Sequence, residues 1–261
     1  MKRTLLNAMP FEVPSSLLAY TDGAVLYNSS CSPEATVIYI DSGNGLYLKR
    51  SESGSLRKEA LMDAYFHKKG LSARVVEYLT DGYDYLLTER VKGEDCTHSD
   101  YISDPKRLCD TLATCLRELH ETDGTGCPVT DRCSDYFSTV EQNYKLGYLD
   151  LSYADKEFSS LDIGQAYELA MQGRGLLVSD TLIHGDYCLP NVMLDNWHLS
   201  GYIDLGGGGI GDRHIDLFWG AWTLNFNLKT DAYRERFFDA YGRDKIDREA
   251  LKVVSLCEAF G

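Results

Sequence analysis

No apolar run in these 261 residues approaches the roughly 18 needed for a membrane-spanning helix. The opening Met1-Lys2-Arg3-Thr4-Leu5-Leu6-Asn7 lacks the apolar stretch and small-residue cleavage site of a secretory signal. These absences predict a soluble, cytoplasmic chain with no membrane partner. None of the eight cysteines forms a C-x-x-C pair, so they read as buried thiols rather than zinc ligands or disulfides. Basic residues are scarce. Lys and Arg number 26 against 40 Asp and Glu, a formal net charge of −14. Such a surface repels nucleic acid and draws in cations. A G-x-x-x-x-G-K-[ST] phosphate loop is also missing, which excludes a P-loop enzyme. Gly206-Gly207-Gly208-Gly209-Ile210-Gly211 does satisfy G-x-G-x-x-G. A dinucleotide site would need that run to open a βαβ unit, whereas the sequence beyond it reads as helices. The glycines are expected to form a flexible loop instead.

What is present divides into a small β-rich part and a larger helical part. Thr36–Ile40 and Leu46–Lys49 are β-rich runs separated by the turn residues Asp41-Ser42-Gly43-Asn44-Gly45, a hairpin pattern. Ser55 is placed to cap a helix from Leu56 to about Lys69, ended by Gly70. Val75–Leu79 and Tyr83–Thr88 form a second hairpin about Asp81-Gly82. The polar stretch 89–95 reads as a linker. Asp104-Pro105 then starts a helix with Leu108, Leu112, Cys115, Leu116 and Leu119 on one face. The stretch 123–162 is acidic and Tyr-rich with no clear period, and a helix near 164–172 follows it. Val192–Leu194 and Leu199–Leu205 read as strands turned by Asp195-Asn196, and helices follow from about Asp212. The expected division is therefore a first lobe over 1–88, a linker over 89–95 and a second lobe over 96–261.

Chemistry concentrates in Thr181-Leu182-Ile183-His184-Gly185-Asp186-Tyr187-Cys188-Leu189-Pro190-Asn191 and in Gly201-Tyr202-Ile203-Asp204-Leu205-Gly206. Asp186 and Asn191 stand five apart in a segment broken by glycine and proline, a loop between apolar runs, where catalytic groups gather. A hairpin would return Asp204 beside Asn191. A carboxylate and an amide leave room for water and phosphate around Mg²⁺. Phosphoryl transfer requires this set: one acid for the acceptor hydroxyl, and an Asn with a second Asp for metal. Asp186 fits the base position of a D-x-x-x-x-N loop, Asn191 its metal-binding Asn, and Asp204-Leu205-Gly206 the D-F-G position of protein kinases.

With Gly211-Asp212-Arg213-His214-Ile215-Asp216-Leu217 and Cys127-Pro128, these segments resemble the aminoglycoside phosphotransferases, most nearly the 3'-phosphotransferases. The resemblance runs over nearly the whole chain. It implies an α+β, two-lobed protein-kinase-like fold, with a small β-rich N-terminal lobe and a larger, mainly helical C-terminal lobe. It further implies Asp186 as base, Asn191 and Asp204 as Mg²⁺ ligands, and ATP or GTP as donor. Such a first lobe needs a strand lysine for the α/β-phosphates and a helix glutamate to fix it. Lys49 and Glu59 occur in that order, and Tyr47 shares the strand face of Lys49, where an aromatic can stack on adenine. Ser32, in Ser30-Cys31-Ser32-Pro33, resembles the Ser-containing phosphate loop of the 3'-enzymes. The Glu89 carbonyl and the Val91 amide are the adenine-bonding pair implied by alignment to the family. Asp216 and His184 are expected to act structurally, and Trp219 and Trp222 to belong to the core.

A net charge of −14 suits a polycationic acceptor. Asp150, Asp155, Glu157, Asp162 and Glu258 lie where the family places substrate carboxylates, and Asp155, Glu157 and Glu258, with Asp186, form the expected acceptor set. Departures occur at Cys257, where the family has an acid, at Gly207, where it has arginine, and at the terminal Gly261. Two other readings stay open. One is a small-metabolite kinase of the same fold, acting on choline, an amino alcohol or a sugar. The other is a nucleotide-binding pseudokinase.

Overall fold

The computed structural model describes residues 3–261; Met1 and Lys2, the start of the segment read above for a signal, lie outside the described residues. The chain forms two compact units, one comprising residues up to His98 together with Pro190–Gly206, the other Ser99–Leu189 with Gly207–Gly261. Residues 190–206, grouped by the sequence with the second lobe, thus pack with the first unit.

The first unit is built on a six-stranded antiparallel sheet. Its strands are β1 (Thr4–Leu6), β2 (Val25–Asn28), β3 (Ala35–Asp41), β4 (Leu46–Glu52), β5 (Val75–Asp81) and β6 (Tyr83–Glu89), in spatial order β1-β2-β3-β4-β6-β5. Period-two alternation decides the faces. Ile38, Ile40, Leu48, Tyr85 and Leu87 turn inward onto Leu17 and Leu26. Tyr47 and Lys49, flanking Leu48, therefore share the opposite face. The β3–β4 turn needs Gly45 at φ +89°, because a Cβ there would lie 2.6 Å from the Tyr39 hydroxyl. Both predicted hairpins form, the second turning at Gly82 with φ +68°.

The helix Arg57–Lys68 packs through Ala60 against Leu86 of β6 and Val75 and Tyr78 of β5, and stops at Gly70 (φ +74°), whose amide donates to the His67 carbonyl at 2.9 Å. Its start corrects the expectation for Ser55. The hydroxyl of Ser55 turns back to the Glu52 carbonyl at 2.6 Å, and the cap residue is Leu56, whose amide donates to Asp84 Oδ2 at 2.9 Å. A carboxylate from β6 does by tertiary contact what a local hydroxyl was expected to do. The short strand β7 (Glu94–Asp95) falls inside the predicted linker. It pairs with β9 (Val192–Asp195), itself paired with β10 (His198–Tyr202). The turn between β9 and β10 uses left-handed Asn196 and Trp197.

The second unit is mainly helical: Pro105–His120, Arg132–Lys145, Ile163–Gln172, Arg213–Leu228, Arg234–Tyr241 and Arg248–Glu258. Asp104 accepts from the Arg107 amide at 3.2 Å with Pro105 at the first helical position, as the sequence reads. The unperiodic 123–162 stretch contains the helix Arg132–Lys145, capped by Asp131, and Asp162 closes a capping box with Gln165. The glycine run is not a free loop. Strand β8 (Thr181–Ile183) pairs antiparallel with β11 (Gly209–Gly211). A Cβ at Gly209 would sit 2.6–2.9 Å from Arg132 and Val129, so close packing selects glycine there. Antiparallel pairing also removes the βαβ geometry of a dinucleotide site. All eight cysteines are free; Cys31 is exposed and Cys188 half-buried, contrary to the uniform burial expected. Among the described residues no helix is long and apolar enough to cross a membrane.

Candidate active site

Three of the predicted residues meet in the first unit. The Lys49 ammonium lies 2.9 Å from both carboxylate oxygens of Glu59 and 2.9 Å from Asp204 Oδ1. Strand β4 presents the lysine, the first turn of Arg57–Lys68 presents the glutamate, and the segment after β10 presents the aspartate. Burial by itself would lower the lysine's pKa, but the charges of Asp204 and Glu59 outweigh it and hold the ammonium above its ordinary value. Glu59 is raised, chiefly by burial, with Lys49 opposing. Asp63, one turn further along the same helix face, is pushed well above the carboxylate range by burial and by the neighbouring Glu59 and Asp204 charges. Sequence reasoning passed over Asp63, although its i+4 spacing from Glu59 marks it as a neighbour.

These groups line a cavity of about 280 Å³ whose wall also includes Ser32, Tyr47, Glu89 and Val91. Every residue expected to bind nucleotide thus faces one space. The Ser32 hydroxyl hydrogen-bonds the Glu34 carboxylate and holds it below its ordinary pKa. The Glu89 side chain is engaged by Arg74 at 2.7 and 2.9 Å, and its amide donates to the Arg74 carbonyl at 2.9 Å. Val91 is buried in the wall. Asn191 immediately precedes β9 and Asp204 follows β10; the Asn191 carbonyl accepts from the Ile203 amide at 3.1 Å, so the hairpin does bring the two segments side by side. Asp204 adopts a left-handed backbone, φ +59°, which a short polar side chain tolerates. Its carboxylate is about half exposed, whereas Asn191 is buried. An amide and a carboxylate are hard oxygen donors, a set that fits Mg²⁺ retaining water and phosphate ligands. Among the described residues no group of three His, Cys, Asp or Glu forms a self-sufficient metal cage.

Asp186 belongs to the second unit. Its loop is fixed by the fully buried Asp216, which accepts the His184 amide and the Gly185 amide, each at 2.7 Å. His120 Nε2 lies 3.1 Å from the same carboxylate, and Tyr241 lies 2.8 Å from His120 Nδ1. Gly185 is left-handed (φ +83°) and a Cβ there would lie 2.0 Å from the Gly207 carbonyl oxygen. Backbone therefore packs on backbone beneath the Asp186 loop, which explains glycine at both positions, Gly207 included. His184 is buried, and its Nδ1 accepts the Asp186 amide at 3.2 Å. Asp216 and His184 act structurally, as expected.

The acceptor candidates are more heavily engaged than the sequence suggests. Asp155 faces Arg234 at 3.7 Å and Glu157 faces Lys252 at 3.1 Å. Glu258 is buried, with Oε1 accepting from the Tyr136 hydroxyl at 2.7 Å and from Trp219 Nε1 at 3.0 Å. Burial pushes its pKa up to about 7, against those two hydrogen bonds, and the Asp186 charge adds to the rise. Burial and the Asp186 charge likewise raise the Cys188 thiol. Trp219 and Trp222 are half-buried rather than core. Trp222 stacks on the exposed Phe226 at 4.9 Å and on Tyr153 at 5.8 Å. Helical spacing gave these rings one face correctly, but the face is only partly covered.

The profile of the phosphotransferase enzyme family, APH, matches residues 33–253. The chain is 48% identical to a probable aminoglycoside 3'-phosphotransferase of Lactococcus lactis subsp. lactis (strain IL1403), over 100% of this chain and 99% of that protein. An aminoglycoside 3'-phosphotransferase of Niallia circulans is 28% identical over 69% of this chain and 68% of its own. The crystal structure of an aminoglycoside 3'-phosphotransferase of type VIII superposes with TM-score 0.77 at 25% identity, covering 94% of this chain and 97% of that one. An aminoglycoside phosphotransferase of Streptomyces rimosus, solved with ADP and streptomycin, shares the fold at TM-score 0.71 and 21% identity, over 86% and 90% of the two chains. With the Lys49–Glu59–Asp204 network and the anchored Asp186 loop in place, the chain belongs to the phosphotransferase enzyme family.

Proposed function

We propose that this enzyme transfers the γ-phosphoryl group of ATP to a hydroxyl, the 3'-hydroxyl, of an aminoglycoside. The observation that carries the reading is the single ammonium of Lys49 bridging Glu59 and Asp204 on the wall of one cavity. Its charge stays on at any physiological pH, and Glu59 aims it. Lys49 binds the α/β-phosphates, Tyr47 stacks on the base, Ser32 and its loop cover the phosphates, and the Glu89 carbonyl and Val91 amide take the adenine edge. Asn191 and Asp204 are the residues that would hold Mg²⁺, whose bound charge offsets that of the phosphates. Asp186 orients the acceptor hydroxyl and takes its proton. The acceptor oxygen bonds to the γ-phosphorus as the bond to the β,γ-bridging oxygen breaks, and ADP leaves. Positioning and charge account for most of such a rate enhancement. The cationic acceptor is drawn by the acidic surface; Asp155 and Glu157 would contact it by exchanging their Arg234 and Lys252 partners, and Glu258 would meet it as a buried, hydrogen-bonded carboxyl.

The test is ATP consumption with and without kanamycin, followed by mapping of the phosphate on the product. Turnover confined to aminoglycosides that bear a 3'-hydroxyl is expected, and turnover of those that lack it refutes the regiochemistry. Asp186→Ala should reduce turnover by at least about tenfold while leaving nucleotide affinity within about twofold. Retained turnover overturns Asp186 as base. Consumption driven by choline or a simple sugar alone moves the protein to the metabolite kinases.

A further inference from the structure

One cation on the nucleotide cavity is unaccounted for by any role above. Arg3 immediately precedes β1 and lines the same cavity as Ser32, Tyr47 and Lys49. Its guanidinium carbon lies 3.5 Å from the Tyr39 ring centre and 5.6 Å from that of Tyr47. One Nη2 proton is donated to the Tyr47 hydroxyl at 2.6 Å. The register aligns Tyr27, Tyr39 and Tyr47 across β2, β3 and β4, so the arginine lies on a tyrosine stripe shared with the expected base-stacking residue.

The charge environment makes this placement unusual. Lys49 and Arg90, the other cations lining the cavity, are matched by carboxylates, Lys49 by Glu59 and Asp204, and Arg90 by Glu94 at 3.6 Å. Arg3 faces no carboxylate among the described residues, in a chain carrying 40 acidic side chains. Its Nε is buried and without a hydrogen-bond partner. An aromatic seat accounts for where the guanidinium rests but leaves its charge uncompensated. Along β4, Tyr47 is two residues from Lys49, a rise of about 7 Å. Arg3 therefore sits at the Tyr47 end of the cavity, with Lys49 about two residues further along the same strand face.

We infer that Arg3 is a nucleotide-binding residue, a cation delivered by the N-terminal strand that pairs with the phosphate charge of the donor. This deepens the nucleotide role proposed above and rests on it, but not on the identity of the acceptor. The residue is absent from the sequence motifs because a lone arginine near a chain start carries no pattern.

The experiment measures binding of adenosine, ADP and ATP with Mg²⁺, without acceptor, to wild type, Arg3→Gln, Arg3→Ala and Arg3→Lys. Arg3→Gln keeps a donor for the Tyr47 hydroxyl and removes the charge. Both neutral variants should bind ADP and ATP about tenfold more weakly and adenosine within about twofold of wild type, with Arg3→Lys recovering part of the loss. A charge contact also predicts that the wild-type advantage shrinks with added salt. Equal losses for adenosine and ADP would make Arg3 a brace for Tyr47 and overturn the inference, as would unchanged ADP affinity. Thermal unfolding of Arg3→Gln in parallel separates lost binding from lost fold. Failure of the wild type to bind any nucleotide would instead strike the proposed function itself.

Discussion

Asp216 is fully buried beneath the Asp186 loop, and its removal has a calculable effect. The carboxylate is fully buried and satisfies two backbone amides of the Asp186 loop at 2.7 Å and His120 at 3.1 Å. Asp216→Ala leaves both amides without an acceptor. Each buried, unpaired donor costs about 1–3 kcal/mol, so the variant should lose ~2–6 kcal/mol. Domain stabilities of about 5–15 kcal/mol make that a severe loss. Asp216→Asn preserves the shape and one acceptor oxygen but turns an N–H₂ toward a donor, and should lose roughly half as much. Urea unfolding followed by tryptophan fluorescence in a Trp197→Phe background reports the second unit directly, because Trp219 and Trp222 lie on the same helix as Asp216 and Trp197 lies in the first unit. Steady-state kinetics should show kcat falling in Asp216→Asn while ADP affinity stays within about twofold, since the residues lining the Lys49 cavity, the proposed nucleotide site, all belong to the other unit. A loss below about 1 kcal/mol for Asp216→Ala would refute the claim that this carboxylate holds the loop.

Gly185→Ala should lower stability by more than ~2 kcal/mol, because a left-handed backbone and a Cβ 2.0 Å from the Gly207 carbonyl oxygen both oppose it; an unchanged urea midpoint would show that the two backbones can part. Glu258 titrates near pH 7 in the folded protein against an ordinary value of 4.5, so the native state holds its proton to higher pH than the unfolded chain does. Stability from this group therefore falls as pH rises from about 4.5 to about 7 and is level above, a change on the order of 3 kcal/mol. The difference between the unfolding free energies of wild type and Glu258→Gln, followed across that range, should carry the slope; a flat difference would show that Glu258 is ionised throughout.

Features written in local sequence were legible. Gly70 and Gly82 needed only their own φ, Asp104-Pro105 only its own helix start, and the Asp186–Asn191 spacing only its own loop. Contacts made at long range were not. The carboxylate that caps Arg57–Lys68 comes from Asp84 on β6, a pairing no local rule finds, whereas local sequence points to Ser55. Arg234 and Lys252, which engage Asp155 and Glu157, lie on helices some 80 to 95 residues further on, and nothing in the acidic stretch announces them. The glycine run failed for a related reason. Composition reads glycine as freedom, whereas Gly207 and Gly209 are glycine because neighbouring backbone and side chains leave no room. Trp219 and Trp222 show the limit of periodicity, which assigns a face but not what covers it.

The charge balance at the Lys49 cavity decides what each lining cation can do. Lys49 brings one positive charge, Glu59 and Asp204 bring two negative ones, and the raised pKa of Asp63 disfavours a third. The protein's own groups thus leave this corner negative before a triphosphate, itself strongly anionic, approaches. A lysine so matched can aim phosphates but cannot by itself neutralise them. Two consequences follow from the same residues. Asp204, half exposed with one oxygen on Lys49, would on the proposed reading offer its second oxygen to a divalent cation. Arg3, on the tyrosine stripe and free of any described carboxylate, is then the lining cation whose charge is not already spoken for. Affinity for the donor should accordingly be set by Arg3 and the divalent cation together, and orientation by Lys49 and Glu59. Glu59→Gln tests that division. It removes the charge that steadies Lys49 but adds no negative charge, so it should lower kcat more than it weakens ADP binding; the opposite ranking would return Lys49 to a primary role in affinity.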